Sequence, residues 1–263
     1  MKICFLMERG SPPRLNPVFA ELAVLLEARA TQVSFLYPEQ ELLRLDTLSV
    51  EADLYLLKSD TEMAFSLAAA LEGLGARVLN AVGPSTFAKD KVMAASLLLR
   101  EGIPTPRSLA AAVPHLLATE LENGPLIFKP HRGYHGVGIA VAEGVEGLPS
   151  EGAYPGLVFA QSYFGSARKD LKIFAIGETI FGVRKPFSPE SFLQAGRPIP
   201  LSPEMEEIAR RCGKCFGLAL YGLDLVEEEA GVFVVDVNPF PGYRGVPEAP
   251  RLLADHLLRA GRG

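Results

Sequence analysis

Apolar residues in this chain form short unbroken runs that alternate with stretches of helical spacing. Residues 2–7, 31–37, 53–58 and 77–79 read as buried strands, and 18–30 and 61–74 as helices between them. Pro17 stands where a first helical turn tolerates a missing N–H, and Gly75 stands where a helix C-cap favours glycine. Strands that alternate with helices imply a parallel sheet, so about the first 80 residues predict a small doubly wound unit. The segment after its first strand is Arg9-Gly-Ser-Pro-Pro13, not a phosphate-binding glycine fingerprint, which argues against a dinucleotide site there.

The pattern then changes. A helix is predicted over 84–100, closed by Gly102-Ile-Pro-Thr-Pro106, and a second around 113–122. Strands follow at 126–129, 137–142 and 157–161, with a glycine-rich turn, His131-Arg-Gly-Tyr-His-Gly-Val-Gly138, between the first two. Residues 170–176 and 179–185 make a hairpin through Gly177-Glu178, and 187–203 is a long Pro-containing connection suited to a substrate loop. A helix at 203–216, a hairpin at 220–226 and 232–237, and a helix near 248–259 complete the chain. Three units are expected, over 1–83, 84–160 and 161–263.

The last hairpin carries the clearest chemistry. Side chains alternate along a strand, so Asp236 and Asn238 share a face. A hairpin centred near Ala230 sets Asp224 opposite Asp236 on that same face. Two acids and an amide oxygen in apolar surroundings suit a hard cation, magnesium or manganese, which keeps positions open for phosphate oxygens. The competing reading is a hairpin whose acids simply face water. Glycines between two strands, at Gly133, Gly136 and Gly138, fit a flap that lies over phosphates, with Lys129 at the end of the preceding strand as their counter-charge. Each feature alone is a common turn or a solvated lysine; combined with the acidic hairpin they suggest a nucleotide held between two sheets.

Composition narrows the setting. The chain of 263 residues is 48% apolar with a net charge of −5, ordinary for a folded domain and contrary to a general nucleic-acid binder. No apolar run has transmembrane length and the N-terminal run is too short for a signal peptide, so a cytoplasmic, non-membrane protein is expected. Cys212 and Cys215 fall within a helical pattern and read as buried helix-face thiols.

In this order the motifs resemble the ATP-grasp superfamily, and within it ligases of the RimK type. Asn80, Lys89-Asp-Lys91 and Gly102-Ile-Pro104 resemble the family's leading helix; Pro125-Leu-Ile-Phe-Lys-Pro130 and the glycines resemble its lysine strand and flap. Val158-Phe-Ala-Gln-Ser-Tyr163 resembles the adenine hinge, with Ser162 where the family carries Glu. Lys169-Asp-Leu-Lys-Ile-Phe174 and Arg184 resemble the segment that serves the γ-phosphate and acyl group. Asp224, Asp236 and Asn238 match the metal triplet, with Asp236 where Glu is common.

The resemblance implies an α/β ATP-grasp fold: a small parallel N-terminal domain and two α+β units that clasp ATP. It implies a carboxylate–amine ligase that forms an amide through an acylphosphate, with a small-molecule or peptide carboxylate and an amine as substrates and with homo-oligomers left open. Lys91, Lys129, the flap glycines, Gln161, Ser162, Tyr163 and Asp170 would hold the nucleotide, and Lys172 and Arg184 would act on the transferring group. Asp236-Val-Asn238 with Phe240-Pro-Gly-Tyr-Arg-Gly-Val246 is also similar to inositol trisphosphate kinases of the same superfamily. A polyol kinase is therefore the alternative, and a nucleotide-binding module without turnover the second.

Overall fold

Five consecutive buried positions make strand β1 (Lys2–Met7) a central strand, apolar on both faces as parallel sheets require. In this computed structural model, which describes residues 1–8, 15–133, 138–165, 169–186 and 194–262, it pairs in parallel with β2 (Gln32–Leu36) and β3 (Leu54–Lys58). With β4 (Val78–Leu79) the sheet runs β2-β1-β3-β4, so the chain changes winding direction between β1 and β3. Helices α1 (Pro17–Glu27) and α2 (Glu62–Gly73) begin at side-chain caps, Asn16 and Thr61, which satisfy the free N–H groups of Val18 and Ala64.

The helix expected over 84–100 is two helices, α3 (Val82–Lys89) and α4 (Lys91–Arg100). Asp90 is the break: its carboxylate caps α4 through the N–H groups of Val92 and Met93 at 3.1 and 3.2 Å. That kink matters, because it turns Lys91 back toward the flap. The segment expected as a helix at 113–122 is a 3-10 run, Pro114–Asn123.

Strands β5 (Ser108–Ala111), β6 (Leu126–Pro130), β7 (Ala140–Ala142) and β8 (Val158–Ser162) form an antiparallel sheet ordered β5-β8-β6-β7. The remaining strands, β9 (Lys169–Ile176), β10 (Thr179–Pro186), β11 (Arg197–Ile199), β12 (Leu220–Glu228) and β13 (Gly231–Asn238), form a second one ordered β11-β10-β9-β12-β13. Residues 187–193 of the expected substrate loop lie outside the described residues, and its later part supplies β11, the sheet's outer strand.

One face of this five-stranded sheet carries Leu171, Ile173, Leu223, Leu225 and Val234, packed under α4 and α5 (Pro203–Phe216). The helices at 82–100, expected with the second unit, thus bury their apolar side against the third. Cys212 belongs to this core. The opposite face is divided. Phe174, Ile176, Val183 and Leu220 pack against β1, β3, α1 and α6 (Ala249–Ala260). Further along the same strands that face turns polar, and no helix among the described residues covers it.

Asn80 ties the two regions together. Its amide donates to Leu220 O at 2.6 Å and to Pro239 O, and its carbonyl accepts from Ala219 and Leu220 N–H at 2.9 and 3.0 Å.

Candidate active site

The polar half of the divided face is built by register. Asp224 pairs directly with Asp236, and Lys172 with Asp224, so three charged side chains stand in a row across β9, β12 and β13. Asn238 follows on the same face as Asp236. Between Asp224 and Leu225 the register shifts, because Leu225 pairs with Val234 and Val235 has no partner. This is a β-bulge, and it decides the site: strict alternation would put Asp236 on the same face as the core residues Val232 and Val234.

Each acid is held by an ammonium. Lys172 Nζ lies 2.7 Å from Asp224 Oδ1, and Lys91 Nζ lies 3.3 Å from Asp236 Oδ1. Asn238 Oδ1 accepts the N–H of Phe240 at 3.1 Å and keeps a second lone pair free of that bond. The donor set is oxygen only, which is what magnesium selects. Among the described residues no group of three His, Cys, Asp or Glu could hold a metal, so the amide oxygen of Asn238 is the third donor an ion would need here. With that amide the residues fit a hard cation, and the lysines neutralise the carboxylates without it.

Lys129, at the end of β6, reaches across to the other sheet. Its ammonium donates to Gln161 Oε1 at 2.7 Å and to Val235 O at 3.2 Å, the carbonyl that the bulge leaves out of the ladder. Burial brings its pKa down to about 8, and Asp236 opposes that shift. Gln161 is buried, and its Nε2 donates to Ser108 Oγ at 3.1 Å. Its side-chain amide therefore orients Lys129.

The flap is anchored at both ends. Lys91 donates its backbone N–H to His131 O at 3.0 Å and its Nζ to Gly133 O at 3.2 Å. Tyr154 OH donates to Gly138 O at 2.6 Å. Gly138 has φ +76°, and a Cβ there would meet Pro130 Cγ at 2.9 Å, so glycine is required. Gly136 lies outside the described residues.

At two of the expected contacts the structure shows other partners. The N–H groups of Ser162 and Tyr163 are bonded within the protein, to Arg107 O and Pro125 O at 2.9 Å each, because β8 is flanked by strands on both sides. These two N–H groups are therefore already bonded, and the carbonyls and side chains of the two residues are the groups left to a base. Arg184 pairs with Leu171, a core residue, and so lies on the face away from the triplet, where it bonds Glu227 at 2.8 Å. Lys185, one position on and buried, shares the triplet's face instead. Of Asp170 only the backbone, in β9, is described.

Phe233 was also missed. It pairs with Val226, which puts it on the face of Asp224, and its ring lies 5.1 Å from that of Phe164 just beyond β8. The alternation of β13 holds this signal once the bulge is known.

An antiparallel sheet with a lysine strand and flap, closing over a second sheet with an Asp/Asp/Asn hairpin, defines the ATP-grasp fold. Residues 88–256 match the model of the RimK-like ATP-grasp domain, and the chain belongs to that family. It is 28% identical over 208 residues to a probable alpha-L-glutamate ligase of Haemophilus influenzae, covering 70% of this chain and 66% of that one. It is 30% identical over 193 residues to probable alpha-L-glutamate ligase 1 of Shewanella amazonensis, covering 68% and 64%. The chain thus spans slightly less than two thirds of the length of these relatives. Among solved structures, a RimK-domain ATP-grasp protein of Sphaerobacter thermophilus superposes with a TM-score of 0.76 at 18% identity, over 98% of this chain and 100% of that one. D-alanyl-alanine synthetase A of Vibrio cholerae gives 0.73 at 16%, over 99% and 97%. The ATP-grasp ligase PsnB with its precursor peptide gives 0.71 at 18%, again over 99% and 97%. At these identities the structures establish the fold.

Proposed function

We propose that this protein is an ATP-dependent carboxylate–amine ligase that works through an acylphosphate. The observation that carries the reading is the row Lys172–Asp224–Asp236–Lys91, two acids each matched to an ammonium on a sheet face that no helix among the described residues covers. The likeness to glutamate ligases supports it.

ATP would lie between the two antiparallel sheets under the flap. Lys91 and Lys129 hold its phosphates, and Phe164 and Phe233 offer aromatic walls for the base. Asp224, Asp236 and Asn238 would hold magnesium, which when bound offsets charge on the phosphate oxygens. A PsnB structure with magnesium and ADP supports the choice of cofactors.

A substrate carboxylate oxygen attacks the γ-phosphorus, the bond to the β-phosphate oxygen breaks, and ADP leaves. An amine nitrogen then attacks the acyl carbon, phosphate departs, and the amine's proton passes to solvent. The protein mainly positions groups and supplies charge, as in phosphoryl transfer generally. Lys172 is placed to meet charge developing on the transferring group. A reaction that draws on ATP is expected in the cytoplasm, and among the described residues no helix is long and apolar enough to cross a membrane.

The residues that resembled a polyol kinase serve other ends. Tyr243 is fully buried and its hydroxyl donates to Ala175 O at 2.9 Å; Phe240 is in the same core. Arg132 faces Asp90 at 3.5 Å and Arg184 faces Glu227, so cations that a polyphosphate acceptor would need are already matched. A screen of carboxylates and amino acids for release of both ADP and free phosphate, with mass analysis of the product, tests the reading. Labelled γ-phosphate retained on a polyol would overturn it.

A further inference from the structure

Lys58 closes β3 beside the end of β1, where the sheet order β2-β1-β3-β4 reverses direction. Open parallel sheets take ligands in the crevice beyond their strand ends at such a point. The Lys58 ammonium lies 5.8 Å from the ring centre of Phe19 and 5.9 Å from that of Phe240. No hydrogen bond or ion pair to it occurs among the described residues.

The acids nearest in charge are Glu8 and Asp60, and neither is bonded to it. Asp60 is held instead by Lys89, whose Nζ lies 3.6 Å from Asp60 Oδ1 and 4.6 Å from the ring of Phe65. Burial lowers the pKa of both lysines, so each ammonium has lost hydration that its partners do not replace.

Phe240 spans the step from Lys58 to the oxygen triplet, since its own N–H donates to Asn238 Oδ1. Lys58 thus sits where the polar half of the sheet face meets the parallel sheet, one aromatic ring away from the proposed metal site. An ammonium between two rings, partly withdrawn from water and with no acceptor among the described residues, is suited to receive an anion.

Resting on the ligase reading, we infer that Lys58 binds a carboxylate of the substrate, with Lys89 and Asp60 as its neighbours in the crevice. The ligand class is an amino acid or peptide acid, and its carboxylate completes the pairing that the described residues leave open. The amino-acid substrate and the peptide acceptor both offer this group.

Amine-reactive labelling of Lys58 in the full chain, read by peptide mass spectrometry, tests the inference. L-Glutamate and an N-acetylated peptide acid serve as probes, with the neutral α-amide of glutamine as control. One of the two acids should slow labelling of Lys58 severalfold, and its identity names the source of the carboxylate; the neutral amide should not. Lys58→Met should raise KM for that acid about 10-fold or more while KM for ATP and the melting temperature hold, and Lys58→Arg should restore most of the loss. Absence of protection by either acid on the order of tens of millimolar would overturn the inference, whatever the turnover. If wild type releases ADP and phosphate with an acceptor and Lys58→Met leaves every KM unchanged, this inference alone falls. If no acceptor draws ADP from wild type, the ligase reading falls, and the labelling result still decides for Lys58.

Discussion

Asp224 stands directly opposite Asp236, and Val235, the one residue of β13 skipped by the ladder beside them, makes this so. The same bulge releases the carbonyl of Val235 toward Lys129. One inserted residue therefore aims an acid into the cleft and anchors a lysine from the opposing sheet.

Asp236→Asn keeps the size of the side chain and removes its charge, so the fold should survive while turnover falls by about 100-fold or more. Lys91, 3.3 Å from Asp236, would lose its partner, and nucleotide affinity should change less than kcat. Single-turnover kinetics over a magnesium titration, with a melting curve, check this. Unchanged turnover at saturating magnesium would sink the metal assignment.

Strand parity separates Arg184 from Lys185. Lys185→Met should cost turnover by about 100-fold, because the ammonium shares the face of Lys172 and Asp224. Arg184→Gln removes an ion pair with Glu227 on the far face, worth about 1 kcal/mol or less, and should leave kcat within about threefold. Equal losses in the two variants would refute the assignment of faces.

Lys129 makes stability depend on pH. Folded, it loses its proton near 8; unfolded, it keeps it to about 10.5. Between those values the unfolded chain binds more protons, so stability rises with pH through this window. The melting temperature of wild type relative to Lys129→Met should therefore climb from pH 7 to 10 in the absence of nucleotide. A difference that stays flat or falls contradicts the lowered pKa. ATP phosphates favour the charged form, so binding near pH 8.5 should take up protons, seen in calorimetry across buffers of different ionisation enthalpy.

Asn80→Ala should destabilise the protein by roughly 3 kcal/mol, because it strands buried backbone groups at Ala219, Leu220 and Pro239. Chemical denaturation measures this directly. A loss under about 0.5 kcal/mol would mean that water replaces the amide.

Much was legible in the chain itself. Unbroken apolar runs such as Ile3–Met7 gave the parallel strands, because a strand buried on both faces has no room for polar residues. The hairpin with an acid on each of its strands was legible, although the bulge completes the pairing of Asp224 with Asp236, and so was the glycine at 138 from the turn it must make. Even the bulge is written in the spacing of the core valines of β13, two residues from Val232 to Val234 and then three to Val237. What only the tertiary structure decided was which face each side chain met and what stood across from it. Arg184 and Lys185 are adjacent cations with equal claims in sequence, and alternation against Leu171 settles which one turns to the site. That the side-chain amide of Gln161 holds Lys129, from a neighbouring strand, is likewise visible only in the tertiary structure. Lys58 carried no motif at all; its position came from two phenylalanines more than 200 residues apart, Phe19 and Phe240, and their meeting is set by packing between sheets that local sequence does not encode.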